Sequence, residues 1–366
     1  MPDIGMVLYI GGFELPDRNA AAQRVVGIAK GLREIGYEVR FVNALKEYSG
    51  EPHNTDYFGF RTFEYKREGD KDYLFGAKKA VSIIKEENPN VVIAYNYPAV
   101  ALNRIRKYCQ TNKIRCVADV SEWPKAIGGS IVYRVVKELD TAYRMRYVHK
   151  HVDSVIAISR YLYDYYKPHV PTVVIPPTVD IMEAKWNIEA KKDKEVTSFV
   201  YAGSPSALKE KLDVIVKGVI ESAKTEKVLF NVVGITKEQF VQMYSWTGEI
   251  PKEIVFWGRI PHTDVIRIVK EASWSIILRE NNIVVKAGFP TKLVESISCG
   301  TPVLVNRFSN IEEYLDSTNS VVSEVSDNIE NAIEKCFSIR ASVDNTLFDY
   351  HQYLKELREL FKCFER

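Results

Sequence analysis

Short apolar runs alternate with amphipathic stretches along nearly the whole chain, and this alternation limits the fold more than any other feature. The apolar runs are rich in Val, Ile and Tyr and are too short to be buried helices, so they predict strands. In the first half of the chain the predicted strands cover residues 6–10, 38–42, 91–95, 115–120, 154–158 and 172–175.

The stretches between these strands show helical spacing. The clearest one has apolar side chains on one face from Ala21 to Ile35 and ends at Gly36, a residue suited to a left-handed helix cap. Strands that alternate with helices form right-handed βαβ units, which place the strands in a parallel sheet. The first half therefore predicts an α/β domain.

The same alternation starts again after a polar segment, 183–195, that contains Lys191-Lys192-Asp193-Lys194-Glu195. The sequence therefore predicts two α/β domains, residues 1–182 and 196–345, joined by a linker. A final amphipathic helix within 346–366 either packs on the second domain or crosses back to the first. The predicted strands of the second domain cover residues 198–202, 228–233, 254–257, 275–278, 302–305 and 320–323.

Composition excludes several classes of protein. The 366 residues are 46% hydrophobic and 27% charged, the balance of a globular enzyme, and the net charge of +2 gives no reason to expect a nucleic-acid partner. Five cysteines with no Cys-x-x-Cys pair predict reduced thiols. There is no basic signal region and no run of about 18 uncharged apolar residues, so we expect a cytoplasmic protein.

The best-known catalytic motifs are missing. The sequence contains no P-loop, no G-x-G-x-x-G, no H-E-x-x-H and no G-x-S-x-G. Its only Asp-x-Asp, at Asp70 and Asp72, lies in a charged segment typical of a solvated turn. We therefore predict no bound cofactor and no metal site, and expect the ligand at the carboxyl ends of the strands, in a cleft between the two sheets.

The segment 279–303 is the most informative part of the second half. A polar loop after a predicted strand leads through Gly288-Phe289-Pro290 into a helix that ends at Gly300. Pro290 suits the first helical turn, where free amides beside Thr291 and Lys292 can hold a diphosphate. Glu295 follows one turn later on the same face, where its carboxylate can accept from ribose hydroxyls. A routine loop–helix–strand unit with a surface Glu is the alternative.

This segment resembles the donor-nucleotide motif of retaining glycosyltransferases of the GT-B fold, in family four. The family pattern E-G-F-G-x-x-x-x-E, followed by small-x-G-x-P-V, is matched by Gly288, Phe289, Glu295, Gly300, Pro302 and Val303. Ala287 replaces the first Glu, which in the family contacts the transferred sugar. The resemblance implies an α/β, GT-B fold of two Rossmann-like parallel-sheet domains facing across a cleft, with the acceptor bound by the first domain and the donor by the second.

A second element of the resemblance lies at 200–213, which is similar to the family's strand, Gly-Arg loop and helix. The resemblance assigns Gly203 to the donor loop and Lys209 to the cation that neutralises the donor diphosphate, with Lys211 as the second choice. Ser204 stands where the family usually has an Arg. Solvated lysines that open a helix are the alternative interpretation.

Two further parts of the donor site follow from the resemblance. Arg279 or Lys292 can replace the positive charge that is absent at Ser204. The segment 256–260 resembles the family turn whose backbone reads the nucleobase, here near Arg259 and Ile260.

In the first half, Gly11 and Gly12 follow the first predicted strand and resemble the family's glycine loop, where backbone approaches donor or acceptor. Arg24, in the next helix, is either a subgroup feature or a surface residue. Asp119 and Glu122 follow a predicted strand in a stretch similar to D-V-x-[DE]-W, and either carboxylate can orient an acceptor hydroxyl or take its proton. Capping of the next helix is the alternative for Glu122.

The resemblance implies a hexosyltransferase that moves a sugar from a nucleotide-diphosphate donor to a saccharide or lipid-linked acceptor, retaining configuration without a metal, in bacterial surface-polysaccharide synthesis. The catalytic candidates are Lys209, Glu295, Asp119 and Glu122. Two other hypotheses remain open: a nucleotide-sugar epimerase or inverting transferase, and a non-catalytic donor-binding subunit, suggested by Ala287 and Ser204.

A basic predicted helix at 132–151 bears on localisation. It carries Arg134, Lys137 and Arg146 beside several tyrosines. It either packs with a solvated basic face or lies on anionic lipid at the inner face of the membrane.

Overall fold

A computed structural model of the chain describes residues 5–362 except 17–18, 47, 49, 68–70, 127, 194, 207–208, 309–310 and 324–328. The described residues form two compact units. The first comprises those within Met1–Val179, Ala287–Phe289 and Tyr350–Arg366, and the second those within Asp180–Lys286 and Pro290–Asp349.

The first unit contains an eight-stranded sheet. Its strands are β1 (Met6–Gly11), β2 (Glu38–Leu45), β3 (His53–Tyr57), β4 (Phe60–Lys66), β5 (Val91–Tyr95), β6 (Arg115–Val120), β7 (Ser154–Ala157) and β8 (Thr172–Val174). They lie in the order β3-β4-β2-β1-β5-β6-β7-β8. Every neighbouring pair is parallel except β3 with β4, which pair antiparallel. The carboxyl ends of the parallel strands therefore share one edge.

The hairpin of β3 and β4 was not predicted. Its turn consists of Phe58 and Gly59, both with positive φ, at 56° and 75°. Successive positive φ values give the turn that two-residue hairpins favour. β3 is mostly polar and exposed, so it lacks the apolar pattern from which strands are predicted.

Helices connect these strands as βαβ units require. They are α1 (Ala20–Glu34), α2 (Lys78–Glu87), α3 (Ala99–Thr111), α4 (Ile131–Arg146) and α5 (Arg160–Tyr166). The side chain of Asn19 caps α1 by accepting from the amide of Ala22, and Gly36 follows the helix with φ 104°, as its position predicts. The basic helix predicted at 132–151 is α4 followed by a short 3₁₀ turn, Val148–His151.

The second unit contains a six-stranded sheet in which every neighbouring pair is parallel. Its strands are β9 (Thr197–Ala202), β10 (Val228–Val233), β11 (Ile254–Gly258), β12 (Trp274–Ile277), β13 (Val303–Asn306) and β14 (Ser320–Ser323), in the order β11-β10-β9-β12-β13-β14. Every strand predicted from the sequence is present in one sheet or the other, so the prediction of two parallel-sheet, Rossmann-like domains is confirmed.

The helices of the second unit lie between these strands in the chain, except the last one, which follows β14. They are α6 (Leu212–Ser222), α7 (Lys237–Tyr244), α8 (His262–Glu271), α9 (Ile283–Ala287), whose last residue belongs to the first unit, α10 (Thr291–Ser298) and α11 (Ile329–Ser338). Phe199, Tyr201 and Phe230, from β9 and β10, are among the fully buried residues of this unit's core.

The last described helix, α12 (Leu354–Lys362), packs on the first unit. Leu357, Leu360 and Phe361 are buried in the same core as the apolar side chains of β1 and α1. The ring of Phe361 lies 4.6 Å from that of Tyr37, and a Cβ at Gly31 would come within 2.6 Å of Leu357 Cδ1. Gly31 thus leaves room for α12 against α1. The predicted end of this helix near Phe364 lies outside the described residues.

Two further observations concern the lengths of the helices and the state of the cysteines. Among the described residues, no helix is both long and apolar enough to span a bilayer. The described cysteines, Cys109, Cys116, Cys299 and Cys336, are buried free thiols, and Cys363 lies outside the described residues.

Candidate functional site

Three neighbouring strands of the second sheet end in glycines with positive φ. Gly203 follows β9 (φ 132°), Gly234 follows β10 (φ 101°) and Gly258 ends β11 (φ 64°). A Cβ at Gly234 would lie 2.5 Å from the carbonyl oxygen of Gly203, and one at Gly203 would lie 2.7 Å from Cε of Lys292. The carboxyl edge of this sheet therefore presents closely packed backbone, the arrangement that lets main chain approach a ligand.

Glu210 joins two cations beside these glycines. Its Oε1 lies 3.0 Å from Nη2 of Arg279 and 3.2 Å from Nζ of Lys292, and its Oε2 accepts from the amide of Ser206. The carboxylate is 3% exposed. We call Glu210, Arg279 and Lys292 the charged cluster; it lies within the second unit and brings both suggested replacements for the missing family Arg to one point.

The charged cluster combines two positive groups with one negative group. Burial disfavours the charged form of Glu210, but the charges of Lys292 and Arg279 outweigh it and hold the pKa of this carboxyl below its ordinary value. Burial lowers the pKa of Lys292, although the Glu210 carboxylate opposes that shift. Among the described residues, Nε of Arg279 has no hydrogen-bond partner. This excess of buried donors suits an anionic ligand.

The amino end of α10 adds backbone donors to the cluster. Pro290 is the N-cap residue with φ −79° and ψ 106°, so the prediction that it occupies the first helical turn is off by one position. The amide of Leu293 donates to the carbonyl of Pro290, and no described residue is shown to accept from the amides of Thr291 or Lys292. Free amides and the positive end of the helix dipole favour a phosphate at this point. Gly300, with φ 71°, follows the helix as predicted.

Glu295 lies on the next turn of α10 and contacts a residue that sequence reasoning did not select. Its Oε1 is 3.2 Å from Nε2 of His262, the first residue of α8. The side chain of Glu295 is 18% exposed and that of His262 is 37% exposed. The charge of Glu295 also acts on Lys292, which places it beside the charged cluster. The half-buried Glu295 carboxylate can accept a hydrogen bond from a hydroxyl of a ligand.

A cavity of about 370 Å³ opens at the same glycine edge. It joins the ends of β9 and β10 to the residues that follow β11, and includes the predicted base-reading Arg259. Its volume is in the range of small-ligand pockets. The lining residues are Ser204, Pro205, Gly234, Ile235, Gln239, Gln242, Met243 and Arg259. Ile260, predicted beside Arg259, lines a different groove, on the face of α8.

The lysines expected to neutralise a diphosphate occupy different environments. Lys209 is half-buried; its amide donates to Ser206 and its carbonyl accepts from Glu280. Lys211 pairs with Glu280 at 3.5 Å on the surface. The structure therefore brings Lys292 and Arg279 to the glycine edge. For Lys209 it shows backbone hydrogen bonds but no side-chain contact with this edge among the described residues. Ala207 and Leu208, in the same loop, lie outside the described residues.

The segment Ala287–Phe289 belongs to the first unit. Ala287 is fully buried and its carbonyl accepts from Oγ of Ser159, at 2.8 Å. Phe289 is also buried, and Gly288 is half-buried. Ala287, which stands where the family has its sugar-contacting Glu, therefore presents only a buried methyl group, and its carbonyl is already hydrogen-bonded.

Asp119 does not occupy an open acceptor site. Its Oδ1 accepts from Arg24 at 2.6 Å and its Oδ2 accepts from the hydroxyl of Tyr9 at 2.5 Å, and the carboxylate is 0% exposed. Both oxygens are occupied, so the expectation that Asp119 orients an acceptor is wrong for this arrangement. The surface alternative for Arg24 is also wrong, since it is 1% exposed and its Nη1 donates to the carbonyl of Ile175.

A cavity of about 950 Å³ lies at the carboxyl ends of the first unit's strands, beside two of the other predicted residues. Gly12 and Glu122 line this cavity, and Glu122 is exposed. Gly11 ends β1, where a Cβ would meet the ring of Phe13 at 2.6 Å. A Cβ at Gly12 would collide with the guanidinium of Arg67. The glycine pair therefore allows close packing around this cavity.

Sequence reasoning missed Glu210 and His262. Glu210 is an acid between Lys209 and Lys211, and such alternation of charge is typical of a solvated surface, so the sequence gives no sign of its burial. His262 follows Pro261 at the start of a helix, a usable signal only once Glu295 is known to face it. Of the only Asp-x-Asp, Asp70 lies outside the described residues. Elsewhere in the described chain, no three His, Cys, Asp or Glu side chains gather as metal ligands.

Two family models match the chain over adjoining segments. Residues 21–183 match Glycosyltransferase Family 4, and residues 183–345 match Glycosyl transferases group 1. No curated protein sequence matches the chain.

Several solved structures share the fold at low sequence identity. Sucrose-phosphate synthase from Thermosynechococcus elongatus is similar with a TM-score of 0.71 and 14% identity, over 98% of this chain and 99% of that one. HepE from Anabaena, in complex with UDP and glucose, is similar with a TM-score of 0.65 and 14% identity, over 98% and 99%. The catalytic domain of starch synthase IV from Arabidopsis thaliana, bound to ADP and acarbose, has a TM-score of 0.66 and 10% identity, over 99% and 100%.

Proposed function

We propose that this chain, a GT-B glycosyltransferase with a family 4 domain followed by a group 1 domain, transfers a hexosyl unit from a nucleoside diphosphate sugar with retention of configuration. The observation that carries the proposal is the charged cluster beside Gly203 and the free amides of α10. Structures with the same fold hold UDP or ADP, which supports a nucleotide ligand here.

The second unit binds the donor in this proposal. The diphosphate lies against the backbone of Gly203 and the amides of Thr291 and Lys292, and the base enters the cavity beside Gly234 and Arg259. Glu295 accepts from the ribose hydroxyls. When the anomeric C–O bond breaks, negative charge grows on the departing phosphate, where Lys292 and the helix amides stabilise it.

The positive charge at the donor phosphate comes from Lys292 and Arg279 rather than from an Arg at Ser204. Glu210 fixes both side chains before the donor arrives and keeps them charged. Lys209 remains a candidate for the diphosphate from the other side of the loop. Turnover without a bound metal is part of this proposal, because protein cations supply the charge that a divalent ion would otherwise provide.

Substitution of the cluster tests the proposal directly. Lys292→Ala is expected to lower transferase turnover by roughly 10²-fold, since a well-placed donor to a growing charge contributes about 3–4 kcal/mol. Glu295→Ala removes an acceptor for the ribose hydroxyls and is expected to lower kcat/KM for the donor by roughly tenfold. Lys217→Ala, an exposed lysine on α6, is the matched control and is expected to leave turnover unchanged. Wild-type rates in both site variants would show that this edge is not the donor site.

Choice of donor is tested by thermal shift. A panel of UDP, ADP and GDP sugars identifies the nucleotide, because a ligand that binds only the folded protein raises its midpoint. Nuclear magnetic resonance of the product then distinguishes retention from inversion at the anomeric carbon, and product with inverted configuration would contradict the proposal. A 2-epimerised nucleotide sugar, formed without any acceptor, would indicate the epimerase.

One observation favours a second candidate, a donor-binding subunit without catalysis. Ala287 is fully buried with its carbonyl bonded to Ser159, so no carboxylate is available where the family grips the sugar. A chain that binds a nucleotide sugar tightly and turns over no saccharide or lipid-linked acceptor would support this candidate.

We place the transfer at the inner face of the membrane, in the synthesis of a bacterial surface polysaccharide. The support is α4, where Ile131, Val132 and Leu139 are 70%, 72% and 65% exposed and Arg134 and Arg146 are also exposed. Exposed apolar side chains beside cations suit the surface of an anionic bilayer. Flotation with vesicles of phosphatidylcholine and phosphatidylglycerol tests this contact, and protein that stays unbound would contradict it.

A further inference from the structure

A groove of about 930 Å³ lies in the second unit, between α8 and the strands β9, β10 and β11. Successive side chains of a strand point to opposite faces of its sheet. Phe230 and Phe256 face the hydrophobic core of the unit, so their neighbours Asn231 and Trp257 point the other way and line the groove. The groove shares no described residue with the charged cluster or with the cavity beside Gly234. It is therefore separate from the proposed donor site.

Trp257 contributes an exposed aromatic ring to the groove. It is 47% exposed, although a side chain of this size is normally largely buried. Its Nε1 donates to Oδ1 of Asn231 at 2.9 Å. This hydrogen bond fixes the orientation of the indole, so the ring is held in place before any ligand arrives.

Asn231 is the second sign that the groove takes a ligand. It is only 9% exposed, and its Oδ1 is occupied by Trp257. No described residue is shown to accept a hydrogen bond from its Nδ2. A buried amide donor without an acceptor is costly, so an acceptor supplied by a ligand would satisfy it. The oxygen of a ligand hydroxyl is such an acceptor.

The charges along the groove nearly cancel. Arg267 and Asp264, both exposed on α8, pair at 2.8 Å. Because cations and acids are balanced, the groove does not select a polyanion. The charged side chains instead supply hydrogen-bond donors and acceptors in similar number, which suits a ligand rich in hydroxyl groups. The cations that line the groove are Lys191, Lys252 and Arg267, and the acids are Asp193, Glu253, Asp264 and Glu271.

We infer that this groove binds a neutral oligosaccharide, at a site that takes no part in the transfer itself. A pyranose ring has C–H groups on its faces and hydroxyls around its rim. One face packs on the ring of Trp257, and the hydroxyls bond with Asn231 and with the charged side chains. The charged lining favours this occupant over a second copy of the chain, since the cores of protein interfaces are depleted of charged residues. The binding goes beyond the proposed function, whereas its use, which is to retain a saccharide on the enzyme between transfers, rests on that function.

Calorimetric titration of the full chain, without nucleotide, tests the inference. The probes are maltohexaose, cellohexaose, mannohexaose and N-acetylchitohexaose, and at least one of them is expected to bind. Trp257→Ala should weaken that binding by about tenfold or more, because the stacking surface is lost, and Trp257→Phe by less, because an aromatic ring remains. Tyr147→Ala is the matched control and should bind normally, since Tyr147 is a similarly exposed aromatic residue (44%) of the first unit.

The polar side of the groove is tested separately with Arg267→Ala. Its side chain is 53% exposed, so the substitution should not unfold the chain. Loss of its hydrogen bonds should weaken saccharide binding by about threefold or more. Arg358→Ala, an exposed arginine on α12, is the control and should bind as the wild type does. Thermal unfolding of each variant verifies that it is folded.

Four outcomes would overturn the inference. They are binding of none of the four hexasaccharides, unchanged affinity in Trp257→Ala, tighter binding of hexagalacturonate than of any neutral probe, and a wild-type dimer in sedimentation that Trp257→Ala dissociates. The last of these would assign the groove to a second copy of the chain.

Titration with UDP, ADP and GDP in the same preparation separates this inference from the proposed function. Trp257→Ala should lose the saccharide and keep the nucleotide, because the groove lies apart from the donor site. Failure of every nucleotide in the wild type would refute the donor site alone, whereas nucleotide binding without saccharide binding would refute the groove alone.

Discussion

At the scale of single residues, Glu210 holds two cations that would otherwise repel each other. Loss of its charge leaves Arg279 and Lys292 buried without a counter-ion, so Glu210→Gln should lower the free energy of unfolding by roughly 3–5 kcal/mol at neutral pH. Urea unfolding measures the difference. Glu221→Gln removes an exposed pair with Lys224 and should cost no more than about 1 kcal/mol.

The stabilisation lost in Glu210→Gln should also depend on pH. The folded pKa of Glu210 lies below its unfolded value, near 4.3, so its stabilisation is present above that pH and is lost as pH falls through the folded pKa. The stability difference between wild type and Glu210→Gln should therefore shrink below about pH 4. A difference that stays constant down to pH 3 would show that the carboxylate is not the source.

Gly234 tests whether close backbone packing forms the site. A methyl group there would lie 2.5 Å from a carbonyl oxygen of Gly203, so Gly234→Ala should destabilise the chain by more than about 2 kcal/mol and weaken nucleotide binding. At Gly258 the nearest atom would be 3.4 Å away, so Gly258→Ala should cost only the strain of positive φ, about 1–2 kcal/mol. Equal midpoints for the two variants would contradict this account.

Residue roles were the least predictable from sequence. Lys292 and neighbouring Glu295 were selected from the start of a helix after a glycine, a local pattern, and their roles stay predictions. Asp119 has the same local appearance as a site carboxylate, yet it is closed off by Arg24 and Tyr9, which are distant in sequence. Only tertiary contact distinguishes the two cases, and a single sequence does not contain it.

At the scale of elements, strands and helices were predicted well where periodicity was strong. β5, β6, β10 and β14 have the predicted bounds, because buried parallel strands read as continuous apolar runs between turns. The β3–β4 hairpin was missed because its polar edge strand lacks that pattern. The strand ends at the glycine edge of the second sheet were therefore predictable. The cavity beside β4, in the first unit, was not.

The contact between α12 and α1 gives a prediction at this scale. Leu357 is 2% exposed in the core of the first unit, so Leu357→Ala should lower stability by about 2–5 kcal/mol. Lys355→Ala on the exposed face of the same helix should change stability by less than about 0.5 kcal/mol. Thermal unfolding of both variants is the measurement, and a mild effect of Leu357→Ala would mean that α12 docks weakly.

For the whole molecule, the presence of two hydrophobic cores predicts two thermal unfolding transitions. A ligand of one unit and a mutation in the other should shift different transitions. Scanning calorimetry with UDP, or with the nucleotide that the thermal-shift panel selects, should raise the transition of the second unit by mass action. Leu357→Ala should lower the transition of the first. Ligand and substitution that moved one single transition together would contradict this independence.

The division of the chain into two parallel-sheet domains and the fold family were predictable from the sequence. Alternating strands and helices on either side of 183–195 predict two parallel sheets, and the motifs within 200–303 predict the fold family. The order of strands within each sheet is set by long-range pairing, which periodicity does not report. For the same reason the membership of Ala287–Phe289 in the first unit was not foreseen.

The return of residues 350–362 to the first unit has a consequence for how the protein is made. Leu357, Leu360 and Phe361 complete a core that also contains Val7 and Tyr9. A ribosome that has synthesised all of β1–β8 has therefore not yet supplied one wall of that core, whereas every strand of the second sheet is translated before α12. The first unit, whose strands are translated first, is completed last. Until α12 packs on it, the apolar surface of α1 around Gly31 is exposed to solvent.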